Sequence, residues 1–174
     1  MRLEAQGTMP ESVEFVIRAI FIGAGATAVL DLWSMFTARV GVVPPSNWGL
    51  VGRWIGYFPK GTFVHDSIAK AAPIDGERAI GWTAHYTIGI VYAVLLIVIC
   101  GLPWARHPSV LPALLFAWAA LVAPFFVMQP GMGAGIAASR TSNPNAARLR
   151  SVAGHTAFGL GLWGAATVLT FILP

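Results

Sequence analysis

Three ionisable side chains stand inside long apolar runs of the sequence: Asp31, His85 and His155. A charged side chain near the centre of a bilayer costs roughly 2.5 kcal/mol or more, so each of them calls for a partner or a ligand. Two imidazoles with a carboxylate are the donors of a mixed His/carboxylate metal centre, and two imidazoles alone can hold a haem iron. The same groups can bind a small polar ligand or relay protons. They can also satisfy one another as packing residues, bonded to Asp31, Gln129, Tyr86 or a loop carbonyl. Gln129 closes the third apolar run and joins the set from there. No nucleophile elbow, HExxH or P-loop occurs, so no familiar catalytic class is signalled and the question of catalysis stays open.

Further candidates lie in the polar segments. Arg53, Arg140 and Arg148 are suited to an anion pocket at the mouth of the site, by bidentate recognition of carboxylate or phosphate. Their bland alternative is contact with lipid phosphate. His65 and Asp66 offer a third imidazole and a second carboxylate, against a solvated loop as the alternative. Gly131 and Gly135 open an unusual run that continues through Ser139, Thr141 and Asn143 to Pro144, with small-residue spacing followed by turn and capping chemistry. His107 falls on the opposite side of the membrane from these groups.

The elements that must position such residues are membrane helices. Of 174 residues, 56% are apolar and only 10% charged, against about 25% charged in soluble domains. Mean hydropathy is +0.70. A water-soluble globule is excluded, and Cys100 as the single cysteine excludes an internal disulfide or a CxxC pair. Four stretches, about 19–38, 80–102, 111–129 and 152–173, are apolar over the roughly 20 residues needed to span a bilayer. The expected fold is an all-α, polytopic membrane protein: a single integral domain over residues 1–174, built as a four-transmembrane-helix bundle. Eight of the 11 basic residues fall in the two larger loops, so the positive-inside rule puts those loops in the cytoplasm and both termini in the periplasm. The same bias explains a pI near 9.8 without a nucleic-acid partner. Glu4, Glu11 and Glu14 argue against a signal peptide, so the first span is expected to persist.

Within the first loop, Pro44-Pro45 stops a helix, Ser46 or Asn47 can cap the next, and Leu50, Val51, Trp54, Ile55 and Phe58 recur at helical spacing. This predicts a short interfacial helix with Arg53 and Lys60 near lipid headgroups. A helical turn over 65–71 is weakly signalled, and 103–110 reads as a tight turn. Trp48, Trp54, Tyr57, Trp82 and Trp104 suit the headgroup layer. Counted inward from the loop-side ends, Asp31, His85 and His155 lie roughly 12, 10 and 7 Å deep, all in one leaflet. Each shares a stripe with small or hydroxyl residues: Gly23, Thr27 and Ser34; Gly89; Thr156 and Gly159. Such stripes face protein, which predicts one common polar cluster. Gly89 and Gly159 each follow a histidine by four residues, a faint internal repeat.

The runs Thr27–Trp33, Leu50–Trp54, Glu77-Arg78, Gly81-Trp82, His85-Tyr86, Gln129-Pro130, Ala138–Thr141, Arg148-Leu149 and His155 resemble a bacterial membrane family catalogued as domain of unknown function 2938. The resemblance covers nearly the whole chain. It implies a small bacterial inner-membrane protein and assigns no activity. From the residues themselves, the leading expectation is a site in the cytoplasmic leaflet, made by Asp31, His85, Gln129 and His155, for a metal, haem or small polar ligand. An oligomeric transporter of a small solute or ion, and an accessory subunit burying the Gly131 to Gly135 face in a larger membrane complex, are the alternatives. The expected partners are the lipid bilayer and either a second copy or a complex partner.

Overall fold

The computed structural model describes residues 9–41 and 46–173. Arg2, used in the charge count, and the Pro44-Pro45 stop lie outside the described residues. Four helical segments are long and apolar enough to cross a membrane: Glu11–Arg39 (α1), Glu77–Cys100 (α3), Val110–Gly131 and Pro144–Ile172 (α7). The chain is an all-α, multi-pass membrane bundle, with no strand among the described residues. Large apolar side chains such as Leu32, Phe36, Val98, Ile99 and Phe171 cover its outside, as a lipid-facing surface requires.

α1 packs against both α3 and α7, α7 packs against α5 (Val110–Ala119), and α3 barely touches α5. The spans therefore follow the order α3, α1, α7, α5 around an arc that closes poorly between its ends. Small residues set the crossings. A Cβ on Gly89 would overlap the Thr27 hydroxyl, and one on Gly161 would press on the Ala26 backbone. Where α1 carries Ala19, Ile22 and Ala26, these pack with Ala93, Leu96 and Ile97 of α3, Ala113 and Ala117 of α5, and Leu162 and Ala166 of α7 into an apolar core. That core occupies the half of the bundle near the chain termini.

The terminal end is tied by charge. Arg18 is 1% exposed. It donates to Glu14 at 2.7 Å, to the Ala105 carbonyl at 3.0 Å and to the Leu173 carbonyl at 2.8 Å, linking α1, α4 (Leu102–Arg106) and the end of α7. Arg106 donates to both oxygens of Glu14, at 2.9 and 2.6 Å, and these hydrogen bonds raise its pKa above the ordinary guanidinium value. The segment read as a tight turn thus holds a short helix started by Pro103.

At the loop end, helix α2 (Trp48–Gly56) forms with Asn47 as its N-cap, accepting from the Gly49 amide at 3.1 Å. Its placement corrects the interfacial expectation for Arg53. A Cβ on Gly52 would overlap the Glu77 carbonyl and one on Gly81 the Trp48 carbonyl, so α2 lies backbone to backbone on α3. That contact buries Arg53 and turns it inward to Glu77, away from headgroups. Lys60 remains outward, 5.0 Å over the Tyr57 ring. A helical turn over 65–71 takes the form of a 3₁₀ turn at Ile68–Lys70.

The third span is interrupted. After α5 it continues as a π-helical segment, Pro124–Met128, and a last turn, α6 (Gln129–Gly131). Pro124 has no N–H to give and its ring crowds the preceding turn, which widens the helix locally.

Candidate functional site

On α3, His85 lies four residues from Gly81, which seats α2, and four from Gly89, which packs against Thr27 of α1, so it stands where both neighbours meet α3. Its Nε2 lies 2.9 Å from Asp31 Oδ1, and the adjacent Tyr86 hydroxyl donates to Asp31 Oδ2 at 3.0 Å. Both oxygens of the carboxylate are thereby engaged by one neighbouring helix. Trp48, delivered by α2, stacks on the His85 ring at 3.7 Å and 23°, and Trp82 meets it edge-on at 5.7 Å. His85 is 6% exposed.

His155 has a different partner. Its Nδ1 lies 3.0 Å from the Ser151 carbonyl one turn earlier on α7, and Gln129 Nε2 donates to the Ser151 hydroxyl at 3.4 Å. Gln129 Oε1 is buried without a partner among the described residues. The single polar cluster expected from the helix stripes is thus two groups: Asp31, His85 and Tyr86 between α1 and α3, and Gln129, Ser151 and His155 between the third span and α7. The reason is local. Both oxygens of the carboxylate are engaged by α3, and on α7 a carbonyl of the same helix holds His155 through Nδ1. Among the described residues, no three His, Cys, Asp or Glu side chains gather as metal donors.

What the two histidines do share is a cavity of about 320 Å³ in the loop-side half of the bundle. Thr27 and Leu30 of α1, Ile88, Gly89 and Tyr92 of α3, Ala123, Pro124, Val127 and Met128 of the third span and Phe158 of α7 line it along with them. Trp48, Val51, Trp54 and Ile55 of α2 close it at the loop end. The walls are almost wholly apolar. Its rim runs through the weak seam between α3 and the third span, where Ile88 is 45% and Val127 58% exposed on the lipid-facing surface.

The arginines do not form a common pocket. Arg53 donates through Nε and Nη2 to the two oxygens of Glu77 at 2.7 and 2.8 Å, and through Nη1 to the Ala71 and Ile68 carbonyls at 2.9 and 3.3 Å. The hydrogen bonds it donates to Glu77 raise the Arg53 pKa above its ordinary value. It is a strut that fastens α2 and the following loop to α3. Arg148 donates to the Ala137 carbonyl at 2.9 Å and to Asn145 at 3.2 Å, supporting a strained turn in which Ala137 and Ala138 adopt φ of 47° and 60°. Arg140 is exposed and its amide is bonded to the Ala134 carbonyl at 2.8 Å.

His65 and Asp66 serve the cover. The His65 amide donates to the Gly131 carbonyl at 2.9 Å and the Ile68 amide to Met132 at 3.0 Å. Gly133, at φ 91°, fits against the Asp66 carbonyl where a Cβ would overlap it. The His65 ring meets Tyr57 edge-on at 4.9 Å, and its nitrogens are buried without partners among the described residues. Neither side chain lines the cavity. The two long loops are in this way locked to each other over the end of the third span.

Reasoning from polar residues missed the cavity itself, whose lining is ordinary span sequence. One signal was present: Pro124 inside an apolar run marks the π-helical stretch that forms a wall.

Comparison with curated proteins and with solved structures finds no match to this chain. A family model described as protein of unknown function, DUF2938, matches residues 20–169, a stretch that includes Asp31, His85, Gln129 and His155, and the chain belongs to that family.

Proposed function

We propose that this protein resides in a bacterial inner membrane, with both termini periplasmic and both long loops cytoplasmic, and that its cavity binds a small, largely apolar ligand taken from the bilayer. The orientation rests on eight of 11 basic residues lying in the two long loops or at the helix ends beside them. One observation carries the binding reading: a cavity of about 320 Å³ walled by every span, capped by α2, with His85 and His155 on an otherwise apolar surface. Ligand sites are typically concave and apolar with a few placed polar groups, at roughly 300–1,000 Å³. The exposed rim at Ile88 and Val127 gives a lipid-dissolved molecule a lateral way in. A metal ion fits less well, because both oxygens of Asp31 are engaged and no third donor joins the imidazoles among the described residues.

Haem is the second reading, favoured by the acceptor that holds one nitrogen of each imidazole, since metal-bound histidines are commonly oriented this way. A transporter would more naturally place its site at the midplane between repeats. An accessory subunit would need no cavity at all.

The test is to purify the protein in mild detergent, identify extracted small molecules by mass spectrometry, and record metal content and the absorption spectrum. A stoichiometric apolar molecule, absent from an Ile88→Trp variant whose rim is blocked, is the expected result. A Soret band selects haem and stoichiometric metal selects a metal centre. An empty protein that takes up no lipophilic probe rejects the binding reading.

A further inference from the structure

Resting on that binding reading, we infer that the ligand belongs to the class of lipophilic aromatic alcohols, a phenol or hydroquinone ring whose hydroxyl donates to an imidazole of the cavity wall, that of His85 or that of His155. The argument begins with proton positions. The Ser151 carbonyl, 3.0 Å from His155 Nδ1, can only accept, so Nδ1 carries the proton and Nε2 of the neutral ring holds a lone pair. With Asp31 Oδ1 as the acceptor, a neutral His85 carries its proton on Nε2 and its lone pair on Nδ1. Neither of these remaining nitrogens has a hydrogen-bond partner among the described residues, and both rings line the same cavity.

The two imidazoles therefore present acceptors to the cavity. Of the donors in the wall, the Thr27 hydroxyl is engaged by the Gly23 carbonyl at 2.8 Å and the Trp54 indole N–H by the Phe63 carbonyl at 2.8 Å, while among the described residues the Trp48 indole N–H is left to donate to an oxygen such as that of a phenol. The Tyr92 hydroxyl can serve in either sense. A ligand made only of hydrocarbon would cover the two imidazole nitrogens without matching them, and a ligand with only acceptors would face them with like polarity. The rest of the wall sets the ligand's shape. Trp48, Trp54, Tyr92 and Phe158 supply aromatic surface that suits a flat ring, through offset or edge contacts. The rim toward lipid suits a molecule that partitions into the bilayer.

The test compares 4-hexylphenol with its methyl ether, 4-hexylanisole, on the full-length protein in nanodiscs, with empty nanodiscs subtracted for partitioning. Quenching of tryptophan fluorescence reports occupancy, since Trp48 and Trp54 line the cavity. The phenol should bind about tenfold more tightly than the ether, the ratio one well-placed hydrogen bond supplies. One of His85→Phe and His155→Phe, the variant that removes the acceptor of the single hydroxyl, should lower that ratio toward one, and a ratio unchanged in both overturns the assignment. Should either variant fail to fold, the wild-type ratio still decides. Equal binding of the two probes overturns the hydroxyl inference while leaving the apolar cavity reading intact. Binding of neither probe to folded protein overturns both.

Discussion

Asp31 shows how little a half-buried polar contact in a membrane bundle needs to contribute to stability in order to matter for chemistry. Its carboxylate meets His85 and Tyr86 at 2.9 and 3.0 Å. Interhelical hydrogen bonds in membrane proteins average only about 0.6 kcal/mol, because the unfolded chain in lipid finds other partners. Asp31→Asn, which keeps the shape and removes the charge, should cost about 1 kcal/mol in a denaturation assay and leave the fold in place. Its larger effect should be on His85, whose proton is no longer held on Nε2 by a carboxylate. Imidazole NMR of the variant should then show a mixture of tautomers where the wild type shows one. A single unchanged tautomer would mean that Asp31 does not orient the ring. Arg18 differs in kind, since three of its nitrogens bond to α1, to α4 and to the end of α7, which makes it a structural tie and no part of the site.

At the scale of elements, α2 and the π-helical segment decide whether the cavity exists. α2 caps it only because Gly52 and Gly81 let two backbones touch. Gly81→Ala would drive a methyl group into the Trp48 carbonyl, an overpacking that costs about 1–3 kcal/mol. The expected result is α2 undocked from α3, with Trp48 lifted off His85, a red-shifted tryptophan emission and protease cleavage between α2 and α3. Retained emission and resistance would show that the contact is dispensable. Pro124 shapes the opposite wall. Pro124→Ala restores an N–H and allows a regular helix, so thermal stability should rise while binding of lipophilic probes falls. The presence of α2 was legible in its capping residue and apolar spacing. Its seat on α3 was not, because a pair of glycines more than twenty-five positions apart has no meaning until the chain folds back.

Over the whole molecule, two halves of the bundle are built differently. Near the termini, alanines on all four spans allow close packing around Ile22, Leu96 and Leu162, and the Arg18 network seals the end. Toward the loops, larger side chains, the π-helical stretch from Pro124 and the weak seam between α3 and α5 leave space. The proposed orientation places that open half in the cytoplasmic leaflet. A periplasm-active reporter fused after Pro174 should be active and a cytoplasm-active one silent. The reverse outcome would move the cavity to the outer leaflet.

The sequence by itself determined that this is a helical membrane protein with four spans, since composition and apolar run length are one-dimensional quantities that the bilayer reads directly. It also singled out Asp31 and His85, because an ionisable residue in an apolar run is conspicuous before any folding. Whether such residues meet one another was decided only by tertiary structure. Helical periodicity gives each residue a face, but the neighbour opposite that face depends on the order of the helices around the bundle. That order paired Asp31 with His85, left His155 to its own helix, turned Arg53 from the lipid surface onto Glu77, and opened an apolar cavity between residues that no local pattern connects.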